Sequence, residues 1–174
     1  MKKALVVVDY QNDFVDGALG FAGAEKLASG ILALTEEFLS QGAPVLFTLD
    51  THTPDYLSTR EGKNLPAPHC IRGTHGWRLY GPLARYMEPC GGVFLIEKGS
   101  FGTVDFDCLR ACPPDQIELC GLVTNICVLS NAVTLQTLFP EAQLAVHASL
   151  CGSFDPALHQ KALDVMAGLQ VRIL

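Results

Sequence analysis

No apolar run in this chain approaches the roughly 20 residues that a helix needs to cross a bilayer. Basic residues are few as well: 12 Lys and Arg stand against 18 Asp and Glu, a formal net charge of −6. They are scattered, so no basic stripe exists to hold a phosphate backbone or an anionic lipid surface, and neither nucleic acid nor membrane is expected as a partner. Charged residues make up only 17% of the chain and hydrophobic ones 49%, a balance that excludes a disordered segment. A regular cysteine framework is missing too. The seven cysteines (Cys70, Cys90, Cys108, Cys112, Cys120, Cys127 and Cys151) are odd in number and irregularly spaced. Cys108 and Cys112 have no nearby His or Cys to complete a metal site. Most are therefore expected to be buried free thiols in a reducing, cytoplasmic compartment. A leader is not expected: Lys2 and Lys3 precede only five apolar residues before Asp9, and no small-residue cleavage site follows.

What the chain does have is a regular alternation. Short apolar, β-branched runs at 3–8, 44–49, 93–97, 117–121, 143–147 and 170–174 read as strands buried on both faces. Between them, amphipathic stretches at 24–40, 103–111, 126–139 and 155–168 read as helices, several stopped by Gly or Pro. The 174 residues suit one domain, 1–174, with one core. The expected fold is α/β and doubly wound: a six-stranded, mostly parallel sheet with helices on both faces. Segment 51–92 breaks the pattern with Pro54, Pro66, Pro68, Pro82 and Pro89, leaving room for one short helix near 78–87. Such a long connection inside a domain is usually functional.

Ligands of open parallel sheets bind at the carboxyl ends of the strands, so the polar residues just beyond each strand come first. They are Asp9, Asp50 with His52, Lys98, and then Thr124, Asn125 and Cys127. Singly, each has a plain reading: Asp9 as a loop cap, Lys98 as a solvated strand end, Cys127 as a small buried hydrophobe. An acid, a lysine and a thiol together at strand ends favour catalysis. CGLVTNICVLSNAV runs from a strand into an apolar helix and sets Cys127 near the helix N-terminus. There the dipole, and an ammonium such as Lys98, favour a thiolate, and free backbone N–H groups are available to an oxyanion. Cys120, the rival nucleophile, falls inside the strand.

Asp50 and His52, two apart, can face one side, and His69 returns toward them from the irregular segment. Two imidazoles and a carboxylate describe an open site for a divalent ion, zinc first, with manganese or iron also accepted. The competing reading is two histidines that never meet. His75 and His159 read as surface residues. Phe14 lies in the loop that passes Asp9 and is expected to line a pocket and stack on a planar ring, with plain core packing as its alternative.

These residues resemble a family. DYQNDF at 9–14, KGSFGT at 98–103 and GLVTNICV at 121–128 are similar, in order, to the three signatures of isochorismatase-like cysteine hydrolases. DTH at 50–52 with PHC at 68–70 is similar to the metal motif of nicotinamidases in that group. The resemblance implies a triad of Asp9, Lys98 and Cys127, with Asp9 as base, Lys98 steadying charge and Cys127 attacking the carbonyl of a small, nicotinamide-like amide. A thioester would form with release of ammonia, and water would then hydrolyse it. It also implies a cis peptide at Leu122–Val123, an oxyanion hole from the N–H groups of Val123 and Cys127, and a metal on Asp50, His52 and His69 that orients the substrate ring. A homo-oligomer is expected. The alternatives are a metal-independent N-carbamoyl or ureido amidohydrolase and a catalytically silent binding module of the same fold. Three positions depart from relatives: Asn125 where many have Asp, Tyr56 where a further His is common, and His147, read as a strand end, where Asp is common.

Overall fold

The computed structural model describes residues 2–174. Its strands are β1 (Lys3–Val8), β2 (Val45–Asp50), β3 (Val93–Lys98), β4 (Gln116–Leu122), β5 (Gln143–Gly152) and β6 (Arg172–Ile173). They form one sheet in the order β3-β2-β1-β4-β5-β6, and every pairing is parallel. The chain thus starts in the middle, winds outward through β2 and β3, and returns to β4 before winding the other way. Right-handed crossovers then carry the helices of the two halves to opposite faces. The reversal opens a crevice beyond the carboxyl ends of β1 and β4.

Six helices accompany the sheet: α1 (Asn12–Val15), α2 (Ala28–Ser40), α3 (Arg60–Asn64), α4 (Asp107–Arg110), α5 (Leu129–Leu138) and α6 (Pro156–Gly168). α2 packs on β1 and β2, and α5 and α6 pack on β5. Every residue of β2 and β4 is buried, Thr48, Asp50, Gln116 and Glu118 included, whereas β3, expected to be buried on both faces, lies at the sheet edge and leaves Phe94 and Leu95 exposed. α6 begins as its Asp-Pro start suggests: the Asp155 carboxylate accepts from the N–H groups of Ala157 and Leu158 at 2.8 and 3.2 Å.

Several expected elements change length. The 103–111 helix contracts to α4, with its first residues held as a loop by bonds such as that from the Thr103 N–H to the Asn131 side chain. β5 runs on to Gly152, past an irregularity opposite Leu119–Gly121, so His147 lies within the strand rather than at its end. β6 shrinks to two residues because Gln170 takes a left-handed φ of 69° as the chain leaves α6. The 126–139 helix is preceded by a π-helical turn, Thr124–Val128, and the expected helix near 78–87 is a 3-10 turn, Gly81–Met87. At Gly121, φ is +116° and an added Cβ would lie 2.1 Å from the Val8 carbonyl oxygen, so only glycine lets β4 pass this close to the end of β1. Among the described residues no helix is long and apolar enough to cross a membrane.

Candidate active site

Four strand ends meet in one place. Asp9 follows β1 in a left-handed conformation (φ 45°), Asp50 and Lys98 end β2 and β3 in direct register, and Cys127 sits in the turn after β4. The Lys98 ammonium lies at the centre: 2.7 Å from Asp9 Oδ2, 3.7 Å from Cys127 Sγ, 3.5 Å from Asp50 Oδ1, and donating to the Ser100 carbonyl at 2.9 Å. Asp9 Oδ1 accepts from the Thr48 hydroxyl at 2.6 Å, whereas Oδ2 accepts no well-aligned hydrogen bond. Asp9, Lys98 and Cys127 are 0%, 4% and 5% exposed, so their charges interact with little water to screen them.

That burial decides the resting protonation states. Burial and the Asp9 charge push the Cys127 thiol well above the ordinary range, and Lys98 offsets them only in part. Burial and Asp9 thus oppose the thiolate that the helix terminus and the Lys98 ammonium favour. Burial also raises Asp9, against the pull of Lys98. Lys98 is raised despite its burial because Asp9, Cys127 and Asp50 surround it, which keeps it charged.

Beside this group, His52 Nε2 and His69 Nε2 approach the same atom, Asp50 Oδ2, at 3.1 and 3.2 Å. The His69 Nδ1–H donates to the Ala67 carbonyl at 2.8 Å, which leaves its Nε2 lone pair for a ligand. The three ligand atoms lie within 4.8 Å of one another, a donor set that fits a divalent ion. Burial tends to raise Asp50, but the two imidazoles and Lys98 hold it well below the usual carboxylate range. The two histidines do meet.

A cavity of about 490 Å³ opens over both clusters, with Asp50, Glu61, His69 and Cys127 at its polar end. Its walls are apolar, with Phe14, Phe101, Val123 and Phe154 among them. Phe14 is 8% exposed and packs edge-on to His69, so it belongs to the core and to the wall at once. The Leu122–Val123 peptide is cis.

The family model for the isochorismatase domain matches residues 3–174. The chain belongs to the isochorismatase family. Its fold superposes on nicotinamidase PncA from Bacillus subtilis with a TM-score of 0.87 at 34% identity, covering 99% of each chain. A pyrazinamidase/nicotinamidase from Streptococcus mutans gives 0.89 at 30% identity, covering 99% of this chain and 100% of the other. A Pyrococcus horikoshii pyrazinamidase, solved in complex with zinc, shares the fold at 0.86 with 22% identity, covering 100% of this chain and 99% of the other. This chain is accordingly a hydrolase acting on carbon–nitrogen bonds other than peptide bonds.

Within this family member, the departures noted in the sequence have clear surroundings. The Tyr56 ring packs against both histidines beside Asp50, 4.7 Å from His52 and 5.0 Å from His69, while its hydroxyl turns away to the Leu65 carbonyl. It supports the imidazoles without offering a ligand. Asn125 accepts from the Ser153 hydroxyl at 2.7 Å, and His147 pairs with Glu118 at 2.5 Å, on a different part of the sheet. His75 is exposed as expected. His159 is not a plain surface residue: its Nδ1 bonds the Thr124 hydroxyl at 2.8 Å and ties α6 to the turn that carries Cys127.

Three contributors escaped sequence reasoning. Glu61 Oε1 lies 3.9 Å from His52 Nε2, and only the folding back of segment 51–92 brings it there. Thr48 had a weak signal, as a hydroxyl two positions before Asp50 on a buried strand. The Gln11 amide brackets the Asp50 backbone, donating to its carbonyl at 2.9 Å and accepting from its N–H at 2.8 Å. Its place in DYQNDF was the available clue.

Proposed function

We propose that this chain is a cysteine-dependent amidohydrolase acting on a small, nicotinamide-like amide through a thioester intermediate. The observation that carries the reading is a single buried ammonium touching both a carboxylate and a thiol at the floor of an apolar cavity, with an imidazole pair beside it. Three buried ionisable groups are costly to keep without a use, which weighs against a silent binding module.

In this mechanism Asp9 Oδ2 takes the thiol proton of Cys127 when the amide carbonyl arrives. Lys98 holds Asp9 and the developing thiolate in reach of each other. Sulfur then bonds to the carbonyl carbon, and the negative charge passes to the carbonyl oxygen. No side chain caps the turn at Val123, so the leading N–H groups of Val123 and Cys127 are the donors for that oxyanion. Collapse of the adduct breaks the C–N bond, and Asp9 returns its proton to the nitrogen, which leaves as ammonia. Water, deprotonated by Asp9, attacks the thioester carbon and the thiol leaves with the proton. Asp50, His52 and His69 would hold a divalent ion, zinc, manganese or iron; when bound it supplies a Lewis acid for a ring nitrogen of the substrate. Phe14, edge-on to His69, is the wall against which the planar ring rests.

The test is ammonia release from nicotinamide, with an acyl-enzyme trapped by rapid acid quench and read as a mass increase on the peptide containing Cys127. Turnover without a Cys127 adduct would remove the thioester route. Turnover of N-carbamoyl compounds alone, by metal-free protein, would favour a ureido amidohydrolase.

A further inference from the structure

The Lys98–Thr103 run builds one wall of the cavity through Phe101, whose ring is 43% exposed at the mouth. A loop that presents an aromatic ring to solvent has little apolar packing of its own to hold it. Its anchor is a residue of α5 outside the proposed triad and metal site. Asn131 is 0% exposed, and its side-chain amide makes three hydrogen bonds. Nδ2 donates to the Cys127 carbonyl at 2.8 Å and to the Phe101 carbonyl at 3.2 Å, and Oδ1 accepts from the Thr103 N–H at 3.2 Å. One planar group thereby joins the backbone of the nucleophile to both sides of the aromatic wall. Gly102 fits the same anchoring: a Cβ there would lie 3.4 Å from Ser130 and Thr134, so the loop rests directly on α5. A leucine at position 131 would fill the space and remove all three of these hydrogen bonds.

Resting on the amidase reading above, we infer that Asn131 is a positioning residue that sets the distance between the Cys127 turn and the Phe101 wall, and so the selectivity of the site for ring amides over aliphatic ones. Asn131 touches no reacting atom. Its effect falls on substrates that reach the wall and spares those that do not. A wall that holds bound substrate and transition state alike shows itself in KM, so displacing it weakens binding of ring amides while the reacting atoms stay in place.

The experiment uses full-length Asn131→Leu, Asn131→Asp and Phe101→Ala, each checked for folding by circular dichroism. Asn131→Asp keeps the acceptor for Thr103 and loses both donors. Nicotinamide kcat/KM is expected to fall about 10- to 100-fold in Asn131→Leu and Asn131→Asp, mostly through KM. Phe101→Ala, a truncation at an exposed position, should show a similar loss, and Asn131→Leu should add little to it. An independent readout is alkylation of Cys127 by chloroacetamide and by its N-phenyl analogue. The variants should react with the small reagent within about twofold of the parent and with the phenyl reagent about tenfold more slowly. Equal losses with both reagents would overturn the inference, as would parent-like nicotinamide kinetics in a folded variant or in Phe101→Ala. If the parent itself releases no ammonia from nicotinamide, the amidase reading fails, and the ratio of the two alkylation rates still decides the role of Asn131.

Discussion

Cys127 is surrounded by groups that pull its proton in opposite directions, and the balance favours keeping it. Reactivity in the free protein should therefore lack the signature of a low-pKa thiol. Alkylation of Cys127 is expected to keep accelerating as the pH rises through 9, the ordinary thiol value, with no plateau at lower pH. A rate already at its maximum near neutral pH would mean that Lys98 dominates after all. In the proposed mechanism the proton moves only when the substrate carbonyl is present to accept the charge. Cys127→Ala should then lose essentially all amidase activity, whereas Cys120→Ala, truncated inside β4, should retain most of it. Asp9→Asn and Lys98→Met should each lower kcat by orders of magnitude, with a double variant little worse than either single one, as expected of groups acting as a unit. Small losses that add would assign them to structure alone.

At the scale of elements, the site exists because four strands end at one level and two loops return to it. Asp50 shows the economy of this arrangement. Its Oδ1 faces Lys98 and its Oδ2 faces both imidazoles, so one strand end serves the proposed triad and the proposed metal site. The two roles should nevertheless separate in His52→Ala. Bound metal, about one equivalent in the parent, should drop sharply, and KM for nicotinamide should rise steeply. Cys127 should still react with chloroacetamide at nearly the parent rate. Metal analysis on the purified protein, paired with that alkylation rate, checks both halves. Loss of the two together would make the ion part of the whole site's shape.

For the whole molecule, burial of thiols couples the fold to pH. Cys70, Cys120 and Cys151 stand outside the triad, and burial raises each above its ordinary value, Cys151 to about 12. In the unfolded chain these thiols ionise near pH 9, whereas in the folded protein they remain neutral. The unfolded state then binds fewer protons, so stability falls as the pH rises from about 9 toward the folded values; below that window the thiols contribute no slope. With Cys127, four such groups give a slope of about 5.5 kcal/mol per pH unit at most, about 1.4 from each. Urea unfolding under reducing conditions from pH 8 to 11 should show this decline, and Cys120→Ala should lessen its slope by at most about 1.4 kcal/mol per pH unit. A flat profile would mean that the buried thiols ionise as easily in the fold as out of it.

The sequence by itself determined the βα alternation, the strand ends and the residues placed there, because these depend on local chemistry: apolar runs make buried strands, and polar residues mark where they stop. Asp9, Asp50 and Lys98 were legible for that reason, each at the end of an apolar run, and Cys127 in the turn after one; singly each had a plain reading, and their coincidence favoured catalysis. The extension of β5 was less so, since His147 and Ser149 break the apolar pattern where the pairing with β4 also shifts, between Val146 and Cys151, before the strand resumes. Other features depend on residues distant in the chain and had no local sign. Glu61 reaches His52, the Tyr56 ring packs at a steep angle against both histidines, His159 ties down Thr124, and Asn131 binds the Phe101 loop only once the crossovers have closed. The protonation of Cys127 is the clearest case. Its position near a helix start argued for a thiolate, but burial first, and then the charge of Asp9, both products of tertiary packing, raise the thiol against the pull of Lys98, because a dry interior disfavours the charged form.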